Sequence, residues 1–444
     1  MPQTAPRPER PLSRRLLVGP LRRLLTWRAD ADGRLVWAGI VAAYLGAVAA
    51  GRLVWGVDLW PSLGVPSGPS VFFDARNLTA AWECQRLGHD PLYDNPCDPW
   101  GRPLMYLRPW LLLGFLGLDQ SHTTPLALVL IAALLVSIAL LAQRVACGAG
   151  ILLAIATCSP AVMFGVERAN MDIALFSLVA GAIVLWRLAP RPARVVSPAL
   201  VLLGATAKIY PVFALPAFVV TRSRVAARAA LACLAVFAAY VLVSFHDVAH
   251  AARIATQGDA LSYGARILPA QLYHLVGADR WAGPGIVKQL IAGVPLAAFA
   301  AAVVVRVRRR FAACLDRPPA DPASLLAFCA GALIYLGTFA VANNFNYRLV
   351  FLLLTLPHLF RLVVDNPESP APPGLPALAA TTTVAILVLL WLGGLWRWVN
   401  PWDDLASWAV AGLLVAMLAA SVPTLGSIRT LLAGARGRPG AAPR

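Results

Sequence analysis

Residues 123–143, TTPLALVLIAALLVSIALLAQ, contain no charged side chain, and this run decides the class of fold. A helix that crosses the hydrocarbon core of a bilayer needs about 20 predominantly apolar residues, and the run has that length. Similar runs recur along the chain, in which 59% of residues are hydrophobic and only 13% are charged. Soluble domains carry about 25% charged residues. The sequence therefore predicts an all-α polytopic membrane protein.

The apolar runs predict about ten full membrane spans. They are residues 35–56, 123–143, 149–165, 171–188, 229–245, 286–305, 323–342, 346–363, 376–396 and 405–425. Arginine clusters flank these runs, and short loops rich in Lys and Arg stay in the cytoplasm. Both termini are then expected in the cytoplasm.

The same pattern predicts a simple domain organisation. A basic tail (1–34) precedes a single transmembrane domain (35–425), and a second basic tail (426–444) follows it. The net charge of +17 is explained by topology signals and by contact with anionic membrane lipids. Nucleic acid is therefore not expected as a partner.

Residues 198–220 and 110–118 do not fit a scheme of full spans. A single crossing by 198–220 would place the basic residues that follow it outside, so we predict a broken, re-entrant helix pair. Pro211 lacks a backbone donor and disfavours helix at the preceding residue, which puts the expected break at Lys208–Pro211. A single span that departs locally from the charge rule also fits. Residues 110–118 are too short to cross and predict an interfacial helix anchored by Trp110.

Asp74 lies in the first outer loop, residues 57–105, within the sequence FFDARN. Ionisable groups at a membrane edge are costly to desolvate and are functional candidates, and a carboxylate here would serve as a general base. Asp74 equally suits the start of an amphipathic helix, because it precedes ARNLTAAWE. The sequence leaves both interpretations open.

The rest of this loop, from Gly88 to Trp100, mixes turn formers with aromatic and acidic side chains. Such a composition suits stacking on a sugar and recognition of hydroxyl groups, and it equally suits a plain surface loop. Cys84 and Cys97 share the loop, where an oxidising compartment would favour a disulfide; two reduced thiols are the alternative. The seven cysteines of the chain show no metal-ligand spacing.

Three further polar groups interrupt apolar runs. Glu167–Asp172, ERANMD, joins two predicted spans, either as part of a site or as the ion pair of a helix hairpin. Lys208 costs about 2.5–3.5 kcal/mol in an apolar run unless it finds an anion, such as a phosphate or a buried carboxylate. Asn343–Arg348, NNFNYR, offers a guanidinium fork that matches phosphate, but Tyr and Arg are also ordinary interfacial anchors.

Taken in order, these elements resemble the bacterial membrane glycosyltransferases of GT-C type, especially the glycosyltransferase 87 group. The motifs are an Asp in the first outer loop, here Asp74; Gly-x-x-Pro-x-Tyr, here Gly88–Tyr93; Glu-Arg-x-Asn-x-Asp, here Glu167–Asp172; Lys-x-Tyr-Pro, here Lys208–Pro211; and Asn-Tyr-Arg, here Asn346–Arg348. Members of the group carry a Tyr-Pro-Pro motif after the first loop, whereas this chain has YLRPW at 106–110. Residues 246–285 match no pattern of the group.

The resemblance implies a GT-C-like helix bundle that transfers a sugar, with inversion, from a polyprenyl-phosphate donor to a glycan or lipid acceptor of the cell envelope. The reaction would occur at the outer face of the bacterial plasma (inner) membrane, with Asp74 as the catalytic base. The residues expected to bind the donor phosphate or the substrate are Arg76, Arg108, Glu167, Arg168, Asn170, Asp172, Lys208, Tyr210, Asn346, Tyr347 and Arg348.

The sequence leaves the cofactor and one rival function open. No glycine-rich nucleotide motif occurs, which argues against a nucleotide-sugar donor. A divalent cation remains a candidate cofactor, because Asp74, Asp90, Asp94 and Asp98 share one loop and their clustering cannot be predicted. The alternative function is that of a transporter or lipid flippase, in which the break at Lys208 and the polar groups mark a substrate pathway.

Overall fold

The computed structural model describes residues 17–143, 145–254, 261–268, 298, 300–310, 321–364, 374–395 and 402–422. These residues form a predominantly helical bundle, so the predicted all-α polytopic membrane class is confirmed. In the described part, the only sheet pairs Ser262–Tyr263 with Asn344–Phe345 in antiparallel fashion. The predicted tail at 426–444 and the first part of the tail at 1–34 lie outside the described residues.

The α-helices of the first part of the chain are α1 (Gly19–Leu25), α2 (Gly33–Val54), α3 (Phe73–Arg86), α4 (Thr123–Ala142), α5 (Cys147–Thr157), α6 (Pro160–Arg168), α7 (Asp172–Leu188), α8 (Val196–Ala207), α9 (Arg224–Val243) and α10 (Phe245–Ile254). Later come α11 (Pro322–Val341), α12 (Leu356–Val364), α13 (Leu375–Leu392) and α14 (Trp402–Ser421), and residues 300–310 are helical as well. Segments of 3-10 helix occupy Pro61–Leu63, Arg108–Leu116, Gln120–His122, Arg191–Val195, Tyr210–Thr221, Asn346–Leu354 and Gly393–Leu395.

Six helices of the described residues are long and apolar enough to cross a bilayer, namely α2, α4, α9, α11, α13 and α14. Two bent pairs raise the number to 8 if each pair is one span: α5 with α6, and Asn346–Leu354 with α12. The predicted number of about ten is not confirmed. Helix α7 has only 17 residues, and most of the predicted span at 286–305 lies outside the described residues.

The bend between α5 and α6 has a cause in the sequence. Pro160 occupies the first turn of α6, where its missing N–H is tolerated, but it excludes the preceding residue from helix. Ser159 accordingly has an extended backbone, with ψ of 149°, and the two helices meet at 57°. The bend directs the polar end of α6, Glu167 and Arg168, towards α3 and α7.

The segment 198–220 contains the predicted break, at a slightly different place. Helix α8 ends at Ala207, Lys208 has an extended backbone with φ of −161° and ψ of 112°, and the next helix begins at Tyr210. Tyr210 is helical although it precedes Pro211, because a proline is tolerated in the first turn of a helix. The two short helices pack against each other and against α9.

The predicted interfacial helix at 110–118 is a 3-10 helix at Arg108–Leu116. Its Leu112, Phe115 and Leu116 are exposed, as expected for side chains that face lipid. Trp110 instead faces the protein, since its Nε1–H donates to the carbonyl oxygen of Ala207 at 3.1 Å. This helix therefore lies beside the end of α8, next to Lys208.

Helix α11 forms the centre of the bundle, and most of its side chains are buried. The side chain of Asp321 caps it by accepting hydrogen bonds from the backbone N–H groups of Ala323 and Ser324. Around this centre the first turn of α3, the end of α6, the start of α7, the end of α8 and the start of Asn346–Leu354 come together. These five helix ends carry the polar groups described next.

Candidate functional site

Asp74 is buried in the first turn of α3 and is held by residues from the α6–α7 junction. Arg168 binds its carboxylate in a bidentate manner, with Nε 2.8 Å from Oδ2 and Nη2 2.7 Å from Oδ1. Asn170 donates to Oδ2 at 2.5 Å. Asp74, Arg168 and Asn170 form what we call the Asp74 cluster. Two groups predicted from separate parts of the sequence thus meet in one place.

Backbone strain accompanies this cluster. Phe72, which precedes α3, and Ala169, between Arg168 and Asn170, both adopt the left-handed conformation, with φ of 56° and 45°. Such residues persist only where the surrounding structure imposes the conformation, and they concentrate at functional sites. The two turns are joined, because the Phe72 N–H donates to the carbonyl oxygen of Glu167 at 3.3 Å.

Asp172 is the centre of a second group, two residues further along the chain. Its Oδ1 accepts from Lys208 Nζ, and its Oδ2 accepts from Arg348 Nε at 3.0 Å. Arg348 Nη1 also donates to Asn344 Oδ1. Asp172, Lys208 and Arg348 form the Asp172 cluster. The Lys208 side chain thus finds its anion in a buried carboxylate, which was one of the two partners expected from the sequence.

Asn170 connects the two clusters. Its Nδ2 donates to Asp74, and its Oδ1 accepts from the backbone N–H of Asp172 at 2.9 Å. An Asn in this position satisfies an N–H at the start of α7, which otherwise has no helical partner. One side chain therefore hydrogen-bonds to both clusters.

Tyrosine rings surround the cations of the Asp172 cluster. Lys208 Nζ lies 5.3 Å from the ring centre of Tyr106, 5.8 Å from that of Tyr210 and 6.0 Å from that of Tyr347. The guanidinium carbon of Arg348 lies 4.5 Å from the ring centre of Tyr210. Cations at such distances are attracted to aromatic faces. Tyr106 was not predicted as a site residue; it lies in the YLRPW segment that departs from the Tyr-Pro-Pro motif.

In both clusters the cationic side chains are more exposed than the carboxylates. The side chains of the cations Arg168, Lys208 and Arg348 are 21%, 18% and 14% exposed, whereas those of Asp74 and Asp172 are 9% and 1% exposed. The carboxylates thus lie behind the cations. An anion that approaches the site therefore meets the cations before the carboxylates.

Other predicted site residues lie nearby with different contacts. Glu167 accepts from the backbone N–H of Gly68 at 2.9 Å through Oε1, which ties the first outer loop to α6. Asn346 packs its amide against Gly393. Arg76 lies two residues after Asp74 on α3, and residues at that spacing do not share a helix face.

Arg108 has its partners outside both clusters. It donates to Asp247 Oδ2 at 2.5 Å and to Asp90 Oδ2 at 2.8 Å, and Tyr93 Oη donates to Asp247 Oδ1 at 2.9 Å. Arg108, Asp90, Asp247 and Tyr93 form the surface cluster, which joins the first outer loop to α10. Arg108, which the sequence predicts to bind the donor phosphate or the substrate, thus pairs with Asp90 and Asp247 and not with the carboxylates of the two clusters.

The four aspartates considered as metal ligands each have a different partner. Asp74 pairs with Arg168, Asp90 with Arg108, Asp94 with His89, and Asp98 with Arg102. Among the described residues, no three His, Cys, Asp or Glu side chains are grouped so that they could hold a metal ion. Cys84 and Cys97 form a disulfide in this loop, with their Cα atoms 5.5 Å apart.

Comparisons with known proteins identify no relative of this chain. No protein-family model matches the chain, and neither the curated proteins nor the solved structures searched contain a significant match. The resemblance to GT-C glycosyltransferases therefore rests on the quoted motifs alone. Any function assigned to the chain has to be supported by the two clusters and their surroundings.

Proposed function

We propose that the protein is a membrane glycosyltransferase of the kind its motifs resemble. It would transfer a sugar from a polyprenyl-phosphate donor to a glycan or lipid acceptor at the outer face of the bacterial plasma membrane. The observation that carries the proposal is the contact between a buried carboxylate, Asp74, and the partly exposed Arg168, which Asn170 links to the two cations of the Asp172 cluster. A base and a site for a departing phosphate are both required for this reaction, and here they adjoin.

Asp74 has the hydrogen-bonding capacity of a general base. An ionised carboxylate has about four lone-pair positions. Within the described residues, Oδ2 accepts from Arg168 and Asn170, while Oδ1 accepts from Arg168 alone. The remaining position on Oδ1 is suited to an acceptor hydroxyl. Arg168 and Asn170 fix the orientation of the carboxylate, which is the preorganisation that proton transfer requires.

The proposed step is an inverting displacement. The acceptor hydroxyl oxygen forms a bond to the anomeric carbon as its proton passes to Asp74 Oδ1. The bond between the anomeric carbon and the phosphate oxygen breaks on the opposite face of the sugar, and the phosphate retains the electron pair. No further reactant is needed. Rate acceleration would come from the base and from stabilisation of charge on the departing phosphate.

Lys208, Arg348 and Arg168 are the groups proposed to stabilise that phosphate. Each is partly exposed, and Asp172 orients two of them from a buried position. Clamps of Arg and Lys stabilise transferred or departing phosphates in many enzymes. The tyrosine rings around Lys208 restrict the cations to the same region, so that an arriving phosphate meets them already in place.

The position of the site suits a donor with a lipid tail. The helix Arg108–Leu116 presents exposed apolar side chains and hydrogen-bonds through Trp110 to the end of α8, beside Lys208. A polyprenyl chain lying along such a surface would place its phosphate near the cations. The cytoplasmic location of both termini is part of the proposal, because it follows from the arginine-rich loops.

One observation favours the rival function. The break between α8 and Tyr210–Thr221 lies at Lys208 itself, and discontinuous helices form substrate sites in transporters. A transporter needs substrate binding at these cations but no chemistry at Asp74. The two functions therefore differ in what a neutral residue at position 74 should do.

The test measures transfer of radiolabelled sugar from polyprenyl-phosphate donors to endogenous acceptors in membranes that contain equal amounts of wild type, Asp74→Asn or Asp90→Asn. Loss of a general base lowers the rate about 10²–10⁴-fold. We expect that loss in Asp74→Asn and a wild-type rate in Asp90→Asn. Wild-type transfer by Asp74→Asn would remove Asp74 from the proposed role. Absence of transfer with every donor, even in wild type, would favour the transporter.

A further inference from the structure

A buried ion pair, Asp98 with Arg102, lies against the first turn of α3. The side chains of Asp98 and Arg102 are joined by two hydrogen bonds, from Arg102 Nε to Oδ1 at 3.1 Å and from Nη2 to Oδ2 at 2.8 Å, and the Arg102 backbone N–H donates to Oδ1 at 3.3 Å. The side chain of Asp98 is 0% exposed and that of Arg102 only 16% exposed. Neither residue belongs to the Asp74 or Asp172 cluster. The sequence did not predict that these two residues form a pair.

Arg102 reaches from this pair to the beginning of α3. Its Nη2 donates to the carbonyl oxygen of Phe73 at 3.0 Å, and its guanidinium carbon lies 3.6 Å from the centre of the Phe73 ring. Trp100 contacts the same ring edge to face, with centres 4.8 Å apart. Phe73 is therefore held through its backbone and through its ring.

The same ring contacts the site. The guanidinium carbon of Arg168 lies 4.9 Å from the centre of Phe73, and Arg168 is the bidentate partner of Asp74. Phe73 directly precedes Asp74 in the chain. Any movement of Phe73 would thus displace both members of the Asp74–Arg168 pair.

Asn77 and the disulfide hold the rest of α3 to the same segment. Asn77 Nδ2 lies within hydrogen-bonding distance of Asp98 Oδ2, at 3.2 Å, and of the carbonyl oxygens of Arg102 and Pro103, while its Oδ1 accepts from the Met105 N–H. The bond between Cys84 and Cys97 joins the far end of α3 to the residue before Asp98. Residues 97–105 therefore act as a brace along α3.

We propose that Arg102, fixed by Asp98, is a positioning residue for the Asp74 cluster. It holds Phe73 by the carbonyl oxygen and the ring, and so sets where the Asp74 carboxylate meets Arg168. Only the catalytic consequence of this arrangement rests on the proposed function. The structural part concerns the first turn of α3 and stands on its own contacts.

The chemistry of the pair suits a permanent brace. Burial alone would raise the pKa of Asp98, but hydrogen bonds from Arg102, from the Trp100 N–H and from Asn77 hold that pKa below its usual range. Asp98 is therefore a carboxylate at neutral pH. Arg102 cannot be replaced by Lys without loss, because a single ammonium group cannot bridge two carboxylate oxygens and a carbonyl in this planar geometry.

The first experiment measures backbone hydrogen exchange of purified wild type, Arg102→Met, Arg102→Lys and the control Arg86→Met. Arg86 is the last residue of α3, the helix whose first turn is monitored, and its ion pair with Asp119 is exposed. The amides of residues 76–78 report on the first turn of α3, and those of α4 show whether each variant is folded. We expect exchange at 76–78 to be about tenfold faster in both Arg102 variants, since a charge-assisted bond is lost, and unchanged in Arg86→Met.

The second experiment measures sugar transfer by the same proteins, with Asp74→Asn as the reference for loss of the base. We expect kcat to fall about tenfold or more in Arg102→Met with little change in KM for the donor, because geometry rather than binding is altered. Arg86→Met should transfer as wild type does.

The outcomes separate the two proposals. Unchanged exchange at 76–78 in Arg102→Met would overturn the positioning role, whatever the transfer rate. Faster exchange with a wild-type kcat would also overturn it, provided that Asp74→Asn is inactive. Wild-type transfer by Asp74→Asn would instead reject the proposed function, and the exchange rates would then decide by themselves whether Arg102 holds α3.

Discussion

The surface cluster and the Asp172 cluster are built from the same residue types in different surroundings. Arg108 and Asp90 have side chains that are 45% and 43% exposed, whereas the Asp172 side chain is 1% exposed. Exposed ion pairs contribute about 0–1 kcal/mol because water and salt screen them, while a buried charge that loses its partner costs several kcal/mol. The same Arg–carboxylate contact is therefore expected to matter far more for stability in the Asp172 cluster than in the surface cluster.

The largest difference between the clusters should appear on removal of one carboxylate from each. Asp172→Asn removes the buried counter-ion of the largely enclosed Lys208 and Arg348, and we expect a loss of about 3–5 kcal/mol in stability. Asp90→Asn should leave stability close to that of wild type, since its partner stays in contact with water and Asp247. Thermal unfolding in detergent, followed by tryptophan fluorescence, measures both. Equal losses in the two variants would contradict the comparison.

The second difference concerns the cations. Lys208→Met removes a cation next to the proposed phosphate, and we expect KM for the donor to rise about tenfold or more, because charge-assisted hydrogen bonds are the strong ones. Arg108→Met removes a cation from the surface cluster and should leave KM within about twofold of wild type. Steady-state transfer at varied donor concentration tests the pair. A larger effect of Arg108→Met would place the phosphate at the surface cluster instead.

The third difference is backbone strain, which accompanies the Asp74 cluster at Ala169. Ala169→Val places a β-branched side chain at φ of 45°, and we expect a loss of about 1–3 kcal/mol with reduced transfer. Ala169→Gly adopts this conformation freely and should be tolerated. Melting temperatures are predicted in the order Gly variant at least equal to wild type, and Val variant lowest. A Val variant as stable as wild type would show that the turn is relaxed.

The smallest effect is the response of the surface cluster to pH. The hydrogen bond from Arg108 lowers the pKa of Asp247 below its usual value, against partial burial, and Tyr93 adds to the effect. Because the folded-state pKa is the lower one, this stabilisation is present above the unfolded value of about 3.9 and is lost as pH falls through the folded value. Wild type should therefore melt slightly above Asp247→Asn at pH 7, and the difference should vanish on acidification. A difference that grows below pH 4 would have the wrong sign.

The bounds of a membrane-spanning helix could be predicted from the sequence where the apolar run and the helix end at the same residues. The run at 123–143 corresponds closely to α4, because polar residues bound it on both sides, His122 before it and Arg144 after it. The runs at 149–165 and 346–363 hid bends of 57° and 46°, and the first of these is visible in the sequence as Ser159-Pro160. Hydrophobicity alone reports that a segment lies in the membrane, but not that its two halves point in different directions.

The site was predictable in its members and not in its pairings. Asp74, Arg168, Asn170, Asp172, Lys208 and Arg348 were all selected because polar groups are rare in apolar surroundings, and the structure brings them together. Which cation binds which carboxylate depends on how helix ends meet in space, and no sequence spacing encodes that. Arg108 was grouped with them as a cation that could bind the donor phosphate or the substrate, but its carboxylate partners are Asp90 and Asp247.

Arg102 and Tyr106 were missed for a different reason. Both lie in a loop without helical or strand periodicity, where the four-residue spacing of Asp98 and Arg102 has no structural meaning until the loop is folded. Tyr106 was noted only as a departure from an expected motif. Loops of this kind are positioned by specific contacts, which a single sequence does not display.

The two partners of Asp172, Lys208 and Arg348, have a consequence for how the protein is made. The five helix ends that carry the two clusters span residues 74 to 348, so Arg348 leaves the ribosome long after Asp172 has entered the membrane. Until then Asp172 has Lys208 as its only cation from the Asp172 cluster, and the site exists in an unfinished state. Translation arrested before and after Arg348 has emerged should therefore yield nascent chains that differ in protease resistance around α7. The two clusters are therefore complete only after Arg348, their last residue in chain order, has been synthesised.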